Sequence, residues 1–298
     1  MSSQLSSSSS SGKQRIVVLV SDMDRFSVVD DEHDPQRKYM LEKVLHFARE
    51  LGHEVIVHRG MSEIPEADIA ILHVDLSVVD EAYAAACKSA RYVINGAVRD
   101  ITKRNISKQL LARDDPWDGQ VIVKSDLNCG GGPEFKQWKR SRGLLSRLSL
   151  RTKATDDYSV YANASAVPSA MWDHPDYVVE RLLTEQTDDG WVLRVWIFMG
   201  EAEFTRKLIG SEPVVKGRSI FKVEGPSEIP DELRDYRARV GFDFGKFDFC
   251  ICDGRPVLFD TNKTPGVFHV PHGDDGTRSL ADGLIALANA NTKIRQTV

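Results

Sequence analysis

The sequence predicts an α/β unit followed by an α+β unit, and three observations carry that division. Between residues 14 and 98, short β-branched runs alternate with stretches of helical period, the pattern of a parallel sheet covered on both faces. After about Asp100, strand-like segments follow one another with few helices between them, as in a mostly antiparallel α+β arrangement. The chain has 298 residues, enough for two modest domains. The expected organisation is a disordered Ser-rich tail over residues 1–13, a parallel-sheet domain over 14–100 and a second domain over 101–298.

In the first unit, residues 16–20 (IVVLV) suit a buried strand. Asp34-Pro35 is placed to open a helix that Gly52 closes, with Leu41, Val44, Leu45, Ala48 and Leu51 on its buried face. Residues 54–58 and 69–73 read as strands, 80–89 as a helix and 92–94 as a fourth strand. No GxGxxG follows the first strand, which argues against a dinucleotide site. In the second unit the pattern gives a helix over 103–113, a strand ending at Lys124 and a glycine-rich loop. Strands follow at 177–183, 191–198 and 203–209, then a strand pair around Asp253-Gly254, and Leu280, Leu284, Leu287 and Ala288 mark a closing helix.

Composition narrows the function classes. A net charge of -5 argues against a nucleic-acid partner that relies on overall positive potential. No apolar run approaches the ~20 residues that cross a bilayer, and the serine run at 6–11 has no apolar signal core, so no membrane partner is expected. Cys87, Cys129, Cys250 and Cys252 show no CxxC spacing and no histidine pair completes a zinc pattern. Reduced thiols in a cytoplasmic protein are expected, with Cys250 and Cys252 as small apolar packing on one strand face.

The most informative segment is 245–266, GKFDFCICDGRPVLFDTNKTPG, two strands joined at the turn dipeptide Asp253-Gly254. Strand side chains alternate, so Asp260 and Asn262 share a face. A two-residue loop would put Asp248 and Asp260 on opposite faces, and an odd loop would bring them together. We expect the three-residue loop Cys252-Asp253-Gly254, with Gly254 at the position of positive φ. Two carboxylates and an amide on one face would then suit a hard cation that also holds phosphate oxygens.

A strand with Asp, a glycine turn, and then apolar-Asp/Glu-x-Asn-x-x-Pro-Gly resembles the metal-binding end of the ATP-grasp superfamily. Its members include D-alanine–D-alanine ligase, glutathione synthetase and the ribosomal-protein glutamate ligases. The resemblance implies an ATP-grasp fold of two α+β subdomains behind a Rossmann-like N-terminal domain, and it implies ATP and Mg2+ as cofactors. It assigns magnesium to Asp248, Asp260 and Asn262, where the family usually has Glu at the place of Asp260. Val121-Ile-Val-Lys124 followed by Asn128-Cys-Gly-Gly-Gly-Pro133 supplies a point charge and glycines through which backbone N–H groups approach an anion. The resemblance makes Lys124 a phosphate contact and Gly130, Gly131 and Gly132 a flexible loop over the phosphates. Residues 177–183 resemble the strand that meets adenine: Glu180 would accept from the exocyclic amine, Leu182 and Leu183 would give backbone groups and apolar cover, and Glu185 would reach the ribose. The family often has an extra strand and helix before Lys124, for which there is almost no room here. Its first phosphate-contacting lysine falls on Lys103 or is replaced by Arg104.

Arg194 and Arg206 lie on strands joined around Met199-Gly200-Glu201. A three-residue loop puts Arg194 opposite Arg206, and a two-residue loop puts it opposite Lys207. Either register opposes two cations, which is unfavourable unless an anion lies between them or nearby carboxylates neutralise them. We read the pair as catalytic, gripping the transferred phosphoryl group or a substrate carboxylate. The stretch 136–153 holds seven Lys or Arg residues and reads first as solvated surface, second as a lid over an anionic substrate. His269 and His272 read as loop residues near the metal segment. The function expected from these features is an ATP-dependent carboxylate–amine ligase acting on small molecules, forming a C–N bond through an acyl phosphate. A kinase-like phosphoryl transferase and a non-catalytic nucleotide-binding regulator are the alternatives. Oligomeric state is open in the sequence, a homodimer being the commonest symmetric assembly.

Overall fold

The computed structural model describes residues 12–28, 38–142, 158–266 and 276–293; the serine run, Asp34-Pro35, His269 and His272 lie outside them. Four strands, β1 (Arg15–Val20), β2 (Glu54–Arg59), β3 (Ala67–Leu72) and β4 (Ala90–Ile94), form a parallel sheet in the order β2-β1-β3-β4. Alternation along β1 sends Ile16, Val18 and Val20 to one core and Val17 and Leu19 to another, so both faces are covered, as the apolar runs imply. Helix α1 (Met40–Glu50) packs on the first face and α2 (Glu81–Ala86) on the second. The Glu42 carboxylate accepts the backbone N–H groups of Lys38 (2.8 Å) and Tyr39 (2.9 Å) at the start of α1. Leu51, expected on the buried face, lies past the last turn and is 54% exposed.

The helix expected over 103–113 is a single turn, α3 (Lys103–Ile106). Beyond it the chain extends because the Leu111 N–H donates to the Val179 carbonyl and the Gln109 carbonyl accepts from the Arg181 N–H of the later strand β7 (Tyr177–Arg181), bonds that replace the helical ladder. Strand β7 pairs with β5 (Val121–Ser125), and β5 with β6 (Ser159–Tyr161), in a three-stranded antiparallel sheet. Between β5 and β6 lie α4 (Gly132–Arg142) and, after β6, the short α5 (Ser169–Trp172).

A six-stranded sheet completes the fold, in the order β11 (Ile220–Glu224), β10 (Ala202–Gly210), β9 (Gly190–Met199), β12 (Phe244–Cys252) and β13 (Arg255–Asn262), with β8 (Glu185–Thr187) also on β9. One face buries Val195, Ile197 and Phe244 against Leu41 and Val44 of α1 and Leu280 and Leu284 of α7 (Thr277–Lys293). The parallel sheet and this sheet therefore share one core. The other face buries Trp196, Phe198, Phe247 and Phe249 under Leu233 of α6 (Asp231–Val240). Phe247 stands edge-on to Trp196 and Phe198, the geometry that aromatic quadrupoles favour. Among the described residues, no helix is long and apolar enough to cross a membrane.

Candidate active site

The hairpin β12–β13 turns through Asp253 and Gly254 alone, both at positive φ (50° and 73°), so the loop has two residues and not the expected three. Positive φ at both positions matches the twist of the flanking strands, which is why Asp-Gly is favoured there. The odd residue that parity demands lies elsewhere. Asp248 pairs with Asp260 but Phe249 pairs with Leu258, so Phe259 is an inserted residue in a β-bulge. The bulge returns Asp260 to the face of Asp248, and Asn262, opposite Lys246, joins them.

Three lysines converge on this face. Lys103, 3% exposed, places its Nζ 2.6 Å from Asp260 Oδ1 and 2.7 Å from Asn128 Oδ1. Of Lys103 and Arg104, Lys103 is the one that reaches this face; Arg104 turns outward to Asp126 and the Tyr177 carbonyl. Lys124 Nζ donates to Glu180 Oε2 (2.7 Å) and to the carbonyl of the bulged Phe259 (3.2 Å). Lys246, two residues before Asp248 on the same strand face, donates to Asp248 Oδ2 at 2.6 Å. Burial pushes the Asp248 carboxyl above the ordinary carboxylate range, with Asp260 adding and Lys246 opposing. Burial works against the charge on Lys246 too, yet Asp248 and Asp260 hold its ammonium above the usual value. The pairing leaves two buried oxygens without a hydrogen-bond partner, Asp248 Oδ1 and Glu180 Oε1. A buried polar atom left unsatisfied costs about 1–3 kcal/mol, so both oxygens retain hydrogen-bond capacity.

These groups form one end of a cavity of about 310 Å³ between the three-stranded and six-stranded sheets. Lys124, Glu180, Lys246, Asp248 and Asp260 line one end; Ile122, Leu182, Leu183, Leu193, Val195 and Leu208 make most of the rest apolar, with Arg181, Thr184 and Lys216 also in the lining. Such a cleft fits a flat apolar ring attached to a polyanion. The Leu182 N–H is already bonded to the Gln120 carbonyl (3.0 Å). A hard cation fits the donor set at the polar end, since Asp248 offers a free oxygen beside Asp260. Asn262 is the weaker donor: its Oδ1 accepts the Thr264 N–H (2.8 Å). No cluster of three or more His, Cys, Asp or Glu side chains suited to a metal occurs among the described residues.

Several expectations are corrected. Arg194 lies opposite Lys207 and Phe249, through a two-residue connection at Gly200-Glu201, whereas Asp248 lies opposite Val195. Arg194 and the metal candidates thus occupy opposite faces of the sheet. Its guanidinium is gripped by Glu185 (Nε–Oε2 2.9 Å), and Lys207 is neutralised by Glu224 (3.0 Å). Carboxylates from β8 and β11 fill the role assigned to a substrate anion. Glu185, placed at the ribose by the resemblance, instead binds Arg194 and the Ile251 N–H (2.8 Å) and is not part of the cavity lining. Arg206 is different: it lies opposite Val195, which lies opposite Asp248, so it shares the face of the metal candidates, with its guanidinium over the Phe204 ring and one N–H on the Thr205 carbonyl, outside the cavity lining itself. Gly130 and Gly131 form a buried left-handed turn, and Gly132 starts α4, so the glycine run is a helix entry and not an open loop.

Lys246, Asn128 and Lys263 were missed in the sequence. Lys246 was legible by the alternation that joined Asp260 to Asn262. Lys263 Nζ is buried without a hydrogen-bond partner; burial pushes it down to about 8 against the pull of Asp100, Asp75 and Glu134. Nothing in the local pattern marks it.

No family model and no curated protein matches the sequence. Solved structures do. An ATP-grasp ligase, PsnB, complexed with a phosphomimetic variant of a minimal precursor, Mg and ADP, is 14% identical, with 91% of this chain and 98% of that chain covered at a TM-score of 0.54. An ATP-grasp RimK domain protein from Sphaerobacter thermophilus is 14% identical over 91% and 99% of the two chains, with a TM-score of 0.44. A D-alanine–D-alanine ligase from Bacillus anthracis is 11% identical over 95% and 99%, with a TM-score of 0.41. The fold assignment rests on the first of these together with the sheet topology: the chain has the ATP-grasp fold.

Proposed function

We propose that the chain is an ATP- and Mg2+-dependent ligase that joins a small-molecule carboxylate to an amine through an acyl phosphate. One observation carries this reading: the β-bulge at Phe259 sets Asp248 and Asp260 opposite each other at the charged end of a largely apolar cleft. Asp248 and Asp260, with Asn262 beside them, would hold the magnesium. Mg-ATP would supply the phosphoryl group that turns a carboxylate into an acyl phosphate with ADP as leaving group. Leu182, Leu183 and Ile122 line the cleft and would cover the base and exclude water from it. Lys103, Lys124 and Lys246 supply fixed positive charge where phosphate oxygens gather, which is the largest contribution a protein makes to such transfers. No side-chain nucleophile is required; the amine attacks the acyl carbon and phosphate leaves. Cys87, Cys129, Cys250 and Cys252 lie outside any disulfide, which supports the reading of a cytoplasmic setting. Release of ADP and phosphate should follow addition of pooled carboxylic acids and amines, with the conjugate detected by mass. A stable phosphorylated product in place of an amide would assign the kinase-like alternative.

A further inference from the structure

A second cavity, of about 340 Å³, opens where the chain leaves β1 and β3, at Ser21 and Asp75. The sheet order β2-β1-β3-β4 reverses direction between those two strands. Ligands of open parallel sheets bind in that crevice, beyond the carboxyl ends of the strands at the switch point. Among the described residues its lining is unusual for a chain of net charge -5: Arg25, Lys38, Lys136 and Arg140 accompany Asp24 and Asp75. Both acids are already engaged. Asp75 lies 2.7 Å from the Tyr39 hydroxyl, 3.0 Å from Thr264 Oγ1 and 3.1 Å from Lys38 Nζ, and Asp24 accepts the Phe26 N–H at 3.0 Å. Arg140 donates to the Met23 carbonyl (2.8 Å), and Arg25 and Lys136 form no ion pair among the described residues. Lys136 and Arg140, four apart on α4, lie on one helical stripe. Both belong to the basic stretch 136–153, and they wall the cavity.

The crevice is continuous with the carboxylate hairpin. Thr264 Oγ1 donates to Asp75 and also lies 3.3 Å from Asn262 Oδ1, and the Met40 N–H bonds the Pro265 carbonyl (2.9 Å). A molecule in the crevice is therefore one hydrogen-bonded residue away from the groups assigned to magnesium.

We propose that this crevice binds the acid substrate and selects carboxylic acids with two or more negative groups, held by Arg25, Lys136 and Arg140. The fate of the bound acid rests on the ligase reading, and its binding does not. The test is calorimetric titration of the full chain, without nucleotide, with propionate, glutarate and tricarballylate. Affinity should rise in that order. Arg25→Ala and Lys136→Ala should each weaken tricarballylate binding about tenfold. Lys136→Arg should preserve it, and so should Lys139→Ala, on the same helix but outside the lining. Equal affinity for the three acids would overturn the proposal. So would a Lys139→Ala loss as large as that of Lys136→Ala, or inorganic phosphate binding as tightly as tricarballylate. Selective binding with no ADP release from any pool would keep this site and sink the ligase reading. ADP release driven by monocarboxylates, with glutarate and tricarballylate inert, would do the reverse.

Discussion

The two faces of the six-stranded sheet carry the same kind of ion pair to different ends. On the face over α6, Glu185 grips Arg194 through both oxygens and uses Oε2 again for the Ile251 N–H, away from any cavity lining. On the cleft face, Lys246 satisfies one oxygen of Asp248 and leaves the other buried and bare beside a cavity. A pair whose acceptors are all used is part of the framework. A pair that leaves an acceptor bare at a cavity wall has capacity for a ligand. The difference teaches that charge opposition in a sequence marks both kinds of place, and that only the remaining hydrogen-bond capacity tells them apart.

The largest effect that would break this comparison is at Asp260. Asp260→Asn should lower ADP release by at least about 10²-fold while its amide oxygen still accepts from the buried Lys103, which keeps the chain folded, and chelation of magnesium should lower ADP release of the wild-type chain reversibly. Lys246→Met should reduce turnover about 10- to 100-fold, because it removes fixed positive charge from the polar end of the cleft; steady-state kinetics would read this mainly in kcat. Arg194→Ala should cost about 1–3 kcal/mol of stability, leaving the partly buried Glu185 without its partner. Turnover per folded molecule should be unchanged, as read by denaturant unfolding and an activity assay on the same sample.

The smallest effect isolates the other half of the distinction. His73 is fully buried between Phe26 and Tyr39, and both ring nitrogens lack a partner, but it lines neither cavity. Burial pushes its pKa down to about 3 from 6.5. The folded state therefore holds His73 neutral while the unfolded chain takes up a proton, so stability is complete above pH 6.5 and falls as pH drops toward 3. The slope from this one group is at most about 1.4 kcal/mol per pH unit. His73→Phe should flatten that part of the stability profile and leave KM unaltered.

What the sequence made legible follows from the range of each rule. Period-two and period-3.6 patterns act within one element, so β1–β4, α7 and the shared face of Asp260 and Asn262 were readable. Parity correctly required an odd residue between Asp248 and Asp260, but alternation cannot say whether it sits in the loop or in a bulge, and here the bulge at Phe259 supplies it. The role of Arg194 was misread because its neutralising partner is Glu185, on another strand, while Glu224 from the sheet edge neutralises Lys207, the cation opposite it. The helix expected over 103–113 was cut to one turn by β7, more than sixty residues downstream. These outcomes depend on strands that meet only in the folded chain.

Magnesium-dependent ATP binding, measured by equilibrium dialysis on the wild type, Asp248→Asn and Arg194→Ala, tests the central claim most directly. The face assignment requires that Asp248→Asn lose most of the binding and that Arg194→Ala keep it. Retention by Asp248→Asn together with loss in a folded Arg194→Ala chain would contradict the assignment.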